Sequence, residues 1–286
     1  MPENISYNTV INLLTITILI YNYGKTFLTK NNNQTIEDFV NKIMEKNIIN
    51  TLKLCDISKI ALLDLSKNAP SGKVHTFIDD KVSDIQVGIT INDIDKRICV
   101  VFRGSESIKD WCHNMNMCKF NIKDNIRVHK GFYNQLYNNG VYDKLLFEVK
   151  ELLIKNHEYS LYLTGHSLGG ALATLCGFMF SQELKNKITV ISFASPRVGN
   201  LEWMKVFEKQ ENLIHYRITN DRDIITVVPL YKYYHVGIMI RLFENSYKIV
   251  RDYNKMPWYN YTIFNFWRIS DHNSTLYYKR LVKNKW

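Results

Sequence analysis

The sequence predicts an α/β protein with a mainly parallel central sheet flanked by helices, and with an N-terminal helical prefix. Two observations favour this class: strand-like and helical segments alternate between residues 159 and 218, and the strand-like segments are continuously apolar. Continuous apolar strands are typical of parallel sheets, because helices cover both faces of such sheets. A third observation is that no long Pro-, Gly- or Ser-rich linker divides the 286 residues, which favours one domain after the prefix.

The helical prefix is predicted to cover residues 1–80 and to pack on the domain, which is predicted to cover residues 81–286. Within the prefix, Thr35 is expected to begin a helix, because Asp38 lies near the capping-box position and apolar residues follow at helical spacing. Ile57–Leu65 is a second helix candidate.

The apolar stretch Val10–Ile20 is too short to span a membrane, since a spanning helix needs about 20 apolar residues. It also lacks a preceding positive charge and a following small-residue cleavage site, which disfavours a signal peptide. A buried segment packed on the domain is the favoured interpretation, and a signal anchor is the alternative.

The domain is predicted to begin with a β-hairpin. The runs Asp84–Ile91 and Arg97–Phe102 are β-type, and the polar residues between them, Asn92–Lys96, are typical of a hairpin turn. Phe132–Lys155 has helical spacing, and we expect a break near Asn139 and Gly140, because glycine and asparagine favour turns.

The alternation that follows predicts the parallel part of the sheet. The predicted strands are Tyr159–Leu163, Ile188–Phe193 and Leu213–Ile218, and the predicted helices between them are Leu168–Leu184 and Leu201–Lys209. In such sheets ligands bind beyond the carboxyl ends of the strands, so functional side chains are expected just after these strands.

The strongest motif lies between the first of these strands and the helix that follows it. Gly165-His166-Ser167-Leu168-Gly169 has the pattern G-x-S-x-G, in which a sharp turn exposes the serine hydroxyl above the sheet. The glycines allow the strand and the helix to approach closely, since they lack a Cβ. Ser167 is therefore the predicted nucleophile, and the backbone N–H of Leu168 is a predicted oxyanion donor; a glycine-rich turn with an incidental serine is the disfavoured alternative.

Further short blocks accompany this motif in a fixed order across residues 85–280. They are Val100–Ser105 with Asp110–Trp111, Val128–Phe132, Thr164–Ala171, Phe193–Asn200, Arg217–Ile225, Tyr234–Gly237 and Asp271–His272. Together they resemble the fungal-type triacylglycerol lipases, also called class 3 lipases. The resemblance implies an α/β-hydrolase fold and a serine hydrolase acting on lipid carboxylic esters through an acyl-enzyme intermediate.

A catalytic serine needs a base and a carboxylate that orients the base, and this fold places them in the order Ser, acid, His. The resemblance implies His272 as the base, because the family's histidine follows an aspartate late in the chain, and His235 is the alternative. It implies Asp223 as the acid, directly before a pair of isoleucines. Spacing alone leaves Asp221 open, since residues two apart point the same way in an extended segment.

The resemblance also implies a second oxyanion donor and a lid. Ser105 follows the predicted strand Arg97–Phe102, and its backbone N–H and hydroxyl are expected to face the substrate oxygen. Ser107–Phe120 resembles the family's short helical lid, with an ordinary surface helix as the alternative.

Several alternatives to a triacylglycerol lipase remain at this point. They are a phospholipase, a short-chain esterase and, from another class, an inactive hydrolase-fold binding protein. The expected partner is a lipid or ester substrate, and the proposed chemistry requires no metal or organic cofactor.

A net charge of +10 can attract an anionic partner, but the basic residues are scattered and no nucleic-acid-binding motif is present, so an abundance of lysine without such a partner is the favoured interpretation. We therefore expect no nucleic-acid partner and allow for peripheral contact with a membrane or lipid-droplet surface. The cysteine count of five is odd and no pair has CxxC spacing, which favours a reducing compartment, with a local bridge between Cys112 and Cys118 as the alternative. An intracellular location, cytoplasmic or membrane-peripheral, is thus favoured over secretion.

Overall fold

A computed structural model describes residues 9, 10, 13, 14 and 17, and residues 73–93, 95–104, 118–251 and 268–284. The strands are β1 (Lys73–Asp80), β2 (Ile85–Asn92), β3 (Arg97–Phe102), β4 (Lys119–Lys123), β5 (Ile126–His129), β6 (Ser160–His166), β7 (Ile188–Phe193), β8 (Leu213–Asn220), β9 (Ile238–Leu242) and β10 (Tyr247–Val250). The helices are α1 (Lys130–Tyr137), α2 (Val141–Lys155), α3 (Leu168–Glu183), α4 (Leu201–Phe207) and α5 (Ser274–Lys283).

Eight of these strands form one sheet in the order β1-β2-β3-β6-β7-β8-β9-β10. The pairs from β3 to β9 are parallel, and the sheet ends in antiparallel pairs on both sides. Strands β4 and β5 form a separate hairpin. The predicted mainly parallel sheet flanked by helices is confirmed, and the carboxyl ends of β3, β6, β7 and β8 share one edge.

The predicted hairpin and the predicted helix break are both confirmed. Strands β2 and β3 pair in antiparallel register across the turn, from Val87 opposite Phe102 to Asn92 opposite Arg97. Between α1 and α2 the backbone of Asn139 has φ 58° and that of Gly140 has φ 69°, a left-handed conformation that interrupts the helix.

The other elements predicted around the motif occur with small shifts at their ends. Strand β7 matches its predicted range, and β8 runs two residues further, to Asn220. Helix α3 is buried around almost its whole circumference, which agrees with its continuously apolar sequence. It packs against β6, β7 and β3 and thereby fixes the turn at its own N-terminus.

The prefix is described only in part. Residues 73–80 form β1 at the edge of the sheet rather than a helix. Near the N-terminus, Val10, Leu13 and Leu14 are helical and buried, and Thr17 Oγ1 lies 3.5 Å from Thr164 Oγ1 of β6. The helices predicted from Thr35 and over residues 57–65 lie outside the described residues, so the prefix as a whole stays a prediction. Within the described part of the chain, none of the helices has both the length and the apolar character that crossing a bilayer requires.

Three of the buried histidines have a pKa that is lowered chiefly by their burial. The pKa of His215 is lowered to about 3, with the Arg217 charge as the second cause. The pKa of His235 is lowered well below 6.5 by burial and again by Arg217, and that of His166 by burial and by His272.

These histidines predict a loss of stability in mild acid. The unfolded chain binds protons below pH 6.5 that the folded protein does not accept, so their stabilising contribution is present above that pH and is lost as the pH falls. Three such groups give a slope of up to about 4 kcal/mol per pH unit near pH 5. Urea unfolding at pH 7.5 and pH 5.0 measures this loss of stability. The substitution His215→Gln removes one of the three groups and should reduce the slope by about 1.4 kcal/mol per pH unit. Equal free energies of unfolding at both pH values would contradict the prediction.

Candidate active site

Ser167 occupies a strained turn between β6 and α3. Its backbone has φ 60° and ψ −125°, which is rare for a residue with a Cβ and costs about 1–3 kcal/mol. The turn is held by the Ser167 N–H, which donates to the Phe193 carbonyl at 2.9 Å. A Cβ on Gly165 would lie 2.3 Å from the Gly169 backbone, so the strand and helix approach as closely as the motif predicted.

The end of β3 packs against the first turn of α3. A Cβ on Gly169 would lie 2.4 Å from the Phe102 carbonyl oxygen, and a Cβ on Gly104 would lie 3.6 Å from the Cβ of Ser167. The chain leaving β3 therefore passes directly beside the serine. Ser105 itself lies outside the described residues, and so does most of the predicted lid, residues 107–117; the end of that stretch forms the start of β4.

Leu168 is the first residue of α3. The N–H groups in the first turn of a helix have no intrahelical acceptor and carry the positive end of the helix dipole. The backbone N–H of Leu168 thus lies next to Ser167 at a position suited to an oxyanion.

Asp223 and His272 are in direct contact. His272 Nδ1 lies 3.0 Å from Asp223 Oδ1 and 2.9 Å from Oδ2, and both side chains are fully buried. Asp223 follows β8 at the same sheet edge as Ser167, and His272 ends a short 3₁₀ turn, Ile269–His272, that bridges to the acid loop. The structure thus brings together two of the predicted residues that are 49 positions apart.

Tyr277 is a further member of this cluster, and the sequence analysis did not identify it. Its hydroxyl donates to Asp223 Oδ2 at 2.7 Å and accepts from the Asn220 N–H at 2.8 Å. Asp223 Oδ1 also accepts from the Ile225 N–H at 2.9 Å. These bonds fix the plane of the carboxylate against the imidazole. The one available signal was weak: Tyr277 and Leu281 form a short buried i,i+4 pair on α5.

The two alternative candidates occupy other positions. Asp221 is partly exposed and forms an ion pair with Arg241 at 2.7 Å. His235 Nε2 lies 2.6 Å from the Thr226 carbonyl oxygen, so this imidazole supports the backbone after the acid loop.

His166 lies against His272, with ring centroids 4.7 Å apart, and its imidazole forms a hydrogen bond with the His272 backbone. Because His166 immediately precedes Ser167, this contact places the His272 ring beside the turn. Among the described residues no group forms a hydrogen bond with His272 Nε2, although the atom is buried. With Nδ1 occupied by Asp223, Nε2 is the nitrogen left to accept a proton.

The profile of the family described as "Lipase (class 3)" matches residues 99–233. A secreted mono- and diacylglycerol lipase A of Penicillium cyclopium is 30% identical over 167 residues, which cover 57% of this chain and 53% of that protein. The chloroplastic phospholipase A(1) DAD1 of Arabidopsis thaliana is 34% identical over 151 residues, covering 46% of this chain and 33% of that protein. The chain therefore spans about half or less of the length of these curated relatives.

The fold extends the likeness to almost the whole chain. The solved structure of lipase II from Rhizopus niveus has a TM-score of 0.71 at 22% identity and covers 93% of this chain and 92% of that one. The α/β-hydrolase fold is thus confirmed. The predicted intracellular location is wrong, since the Penicillium relative is a secreted lipase.

Proposed function

We propose that this chain, whose residues 99–233 match the class 3 lipase family, hydrolyses carboxylic esters of lipids through a triad of Ser167, Asp223 and His272. The observation that carries the proposal is the buried contact between His272 and Asp223 beside a serine held at positive φ. A turn of this kind exposes the serine hydroxyl, and an oriented imidazole activates it.

The proposed reaction begins with attack of Ser167 Oγ on the ester carbonyl, while His272 Nε2 accepts the hydroxyl proton. Asp223 stabilises the resulting imidazolium through Nδ1, and its bonds from Tyr277 and Ile225 hold it in that orientation. The alcohol leaves with the proton from His272, and water then hydrolyses the acyl-enzyme in the same way.

The negative charge that develops on the carbonyl oxygen needs donors that are already in place. We assign this role to the backbone N–H of Leu168 and to Ser105, which directly follows the chain that passes Ser167. Each such donor contributes about 2.7–4 kcal/mol to transition-state stabilisation.

Lipid esters are the proposed substrate class, and peripheral contact with a membrane or lipid-droplet surface is part of the proposal. A phospholipase activity is the second candidate, because one relative is named a phospholipase A(1) and the chain carries a net charge of +10, which favours anionic lipid surfaces.

Labelling with a fluorophosphonate tests the proposal directly. We expect one adduct on the folded protein, located by mass spectrometry on Ser167, and loss of labelling in His272→Ala and in heat-denatured protein. Hydrolysis of a panel of triacylglycerols, phospholipids and short-chain esters then identifies the substrate. Absence of an adduct with and without detergent, in protein shown to be folded, would instead support an inactive binding protein.

A further inference from the structure

The loop between the acid turn and β9 carries an exposed tip that the proposed chemistry does not use. At this tip Leu230 is 52% exposed and Tyr231 68% exposed, and Lys232 follows in an exposed position with φ 56°. The base of the loop is fixed, since Arg197 Nη1 donates to the Pro229 carbonyl at 3.1 Å. The tip is therefore held outward from a rigid base.

Lys232 belongs to this tip, and two further basic residues, Lys119 and Arg127, lie near it. Lys232 Nζ lies 5.0 Å from the centre of the Tyr231 ring, and Lys119 Nζ lies 4.0 Å from that of Tyr233. The pKa of Lys119 is lowered by partial burial and then by the charges of Lys232 and Arg127, so both of these cations lie near Lys119. Within the described part of the chain, no carboxylate forms an ion pair with any of them.

The tip lies on the same side of the sheet as the candidate active site. Its loop continues from the 3₁₀ turn that begins at Asp223, beyond the carboxyl end of β8. Ile269, another exposed apolar side chain at 49%, lies on the segment whose Arg268 bridges to Asp223. Exposed apolar side chains therefore lie on both segments next to the acid loop, at Leu230 and Tyr231 on one and at Ile269 on the other.

We propose that Leu230, Tyr231, Lys232, Lys119 and Arg127 form a docking surface for an anionic phospholipid bilayer. The inference rests on the proposed function and deepens it, because it identifies the surface through which the protein contacts the bilayer that contains its substrate. Docking there sets the active-site edge of the sheet against the lipid.

The composition of this docking surface selects a bilayer over a soluble anion. A soluble anion needs only the cations, whereas exposed leucine and tyrosine side chains gain by entering the region between headgroups and acyl chains. Lysine stems extend along that region while their ammonium groups reach the lipid phosphates. Each basic residue near such a surface strengthens binding by about fivefold, so three give a preference of about 100-fold over a neutral bilayer.

Sedimentation with sucrose-loaded vesicles tests the proposal. The protein carries Ser167→Ala so that no lipid is consumed. It is mixed with vesicles of phosphatidylcholine alone, or with vesicles in which one quarter of the lipid is phosphatidylglycerol. We expect binding to the anionic vesicles that weakens with added salt. The pair Lys119→Gln and Lys232→Gln should weaken it by about 25-fold. The pair Leu230→Ser and Tyr231→Ser should weaken it by at least tenfold.

Matched controls use groups of the same kind elsewhere on the protein. Lys185 and Lys187 are exposed just before β7, at the opposite edge of the sheet, and Phe147 and Ile154 are exposed on α2 at 63% and 75%. Replacing each of these pairs in the same way should leave vesicle binding unchanged. If the control pairs weaken binding as much as the docking-surface pairs, or if the docking-surface pairs have no effect, the inference is overturned.

Hydrolysis of a water-soluble ester separates this inference from the proposed function. The docking-surface variants with Ser167 intact should keep the kcat/KM of the unmodified protein on that ester and lose hydrolysis of vesicle lipids. Vesicle binding that depends on these residues in a protein without esterase activity would refute the proposed function and retain the docking surface.

Discussion

Replacing Ser167 with alanine is expected to lower kcat for ester hydrolysis by about 10⁶-fold, because the attacking oxygen is removed. Activity that remains would come from the oxyanion donors and from substrate binding, which act on a water molecule instead. The measurement is kcat and KM on a water-soluble ester, with purified Ser167→Ala protein beside the unmodified protein.

The fold should tolerate this substitution. Alanine retains the Cβ of serine, and no side-chain hydrogen bond from Ser167 caps α3, so we expect the free energy of unfolding to change by less than about 1 kcal/mol. Combining Ser167→Ala with His272→Ala should cost little more than either change alone, since the two residues act as one unit. Activity within tenfold of the unmodified protein would place the nucleophile elsewhere.

The parts of the fold that were predictable are those whose sequence alone determines their environment. Strand β7 and helix α3 are mostly apolar, so their burial follows from composition. Strands β9 and β10 were not predicted, because they have five and four residues and are stabilised by pairing with their neighbours. Helix α5 is mostly polar and buries only Tyr277 and Leu281, which gives too weak a periodic signal.

The candidate site likewise contains residues that the sequence predicted and residues that it did not. Ser167 was predictable because its turn is built from adjacent residues, and the glycines that allow the turn belong to the same motif. Tyr277 was not, because its bonds to Asp223 and Asn220 depend on how α5 docks on the end of β8. The His166 contact with His272 likewise joins residues far apart in sequence.

The surroundings of the two carboxylates favour Asp223 over Asp221 as the proposed acid. Asp221 lies at the surface beside an arginine, and ion pairs of that kind contribute little. Asp223 is fully buried, and among the described residues its carboxylate forms hydrogen bonds with the His272 imidazole, the Tyr277 hydroxyl and the Ile225 backbone N–H. A buried carboxylate with three donors suits the task of orienting an imidazole.

Replacing Asp223 with asparagine is therefore expected to lower kcat by about 10⁴-fold. The asparagine amide places an N–H donor where three donors already converge on the carboxylate. His272 then loses the acceptor that holds its proton on Nδ1, and Nε2 is no longer kept free to act as a base. The matched control is Asp221→Asn, which should change kcat by less than about tenfold, because Asp221 is partly exposed and its ion pairs with Arg241 and Arg222 contribute little. Steady-state kinetics of both variants on a water-soluble ester measure the difference. A large loss in Asp221→Asn together with a small loss in Asp223→Asn would reverse the assignment of the acid, whereas small losses in both would mean that His272 is oriented without a carboxylate.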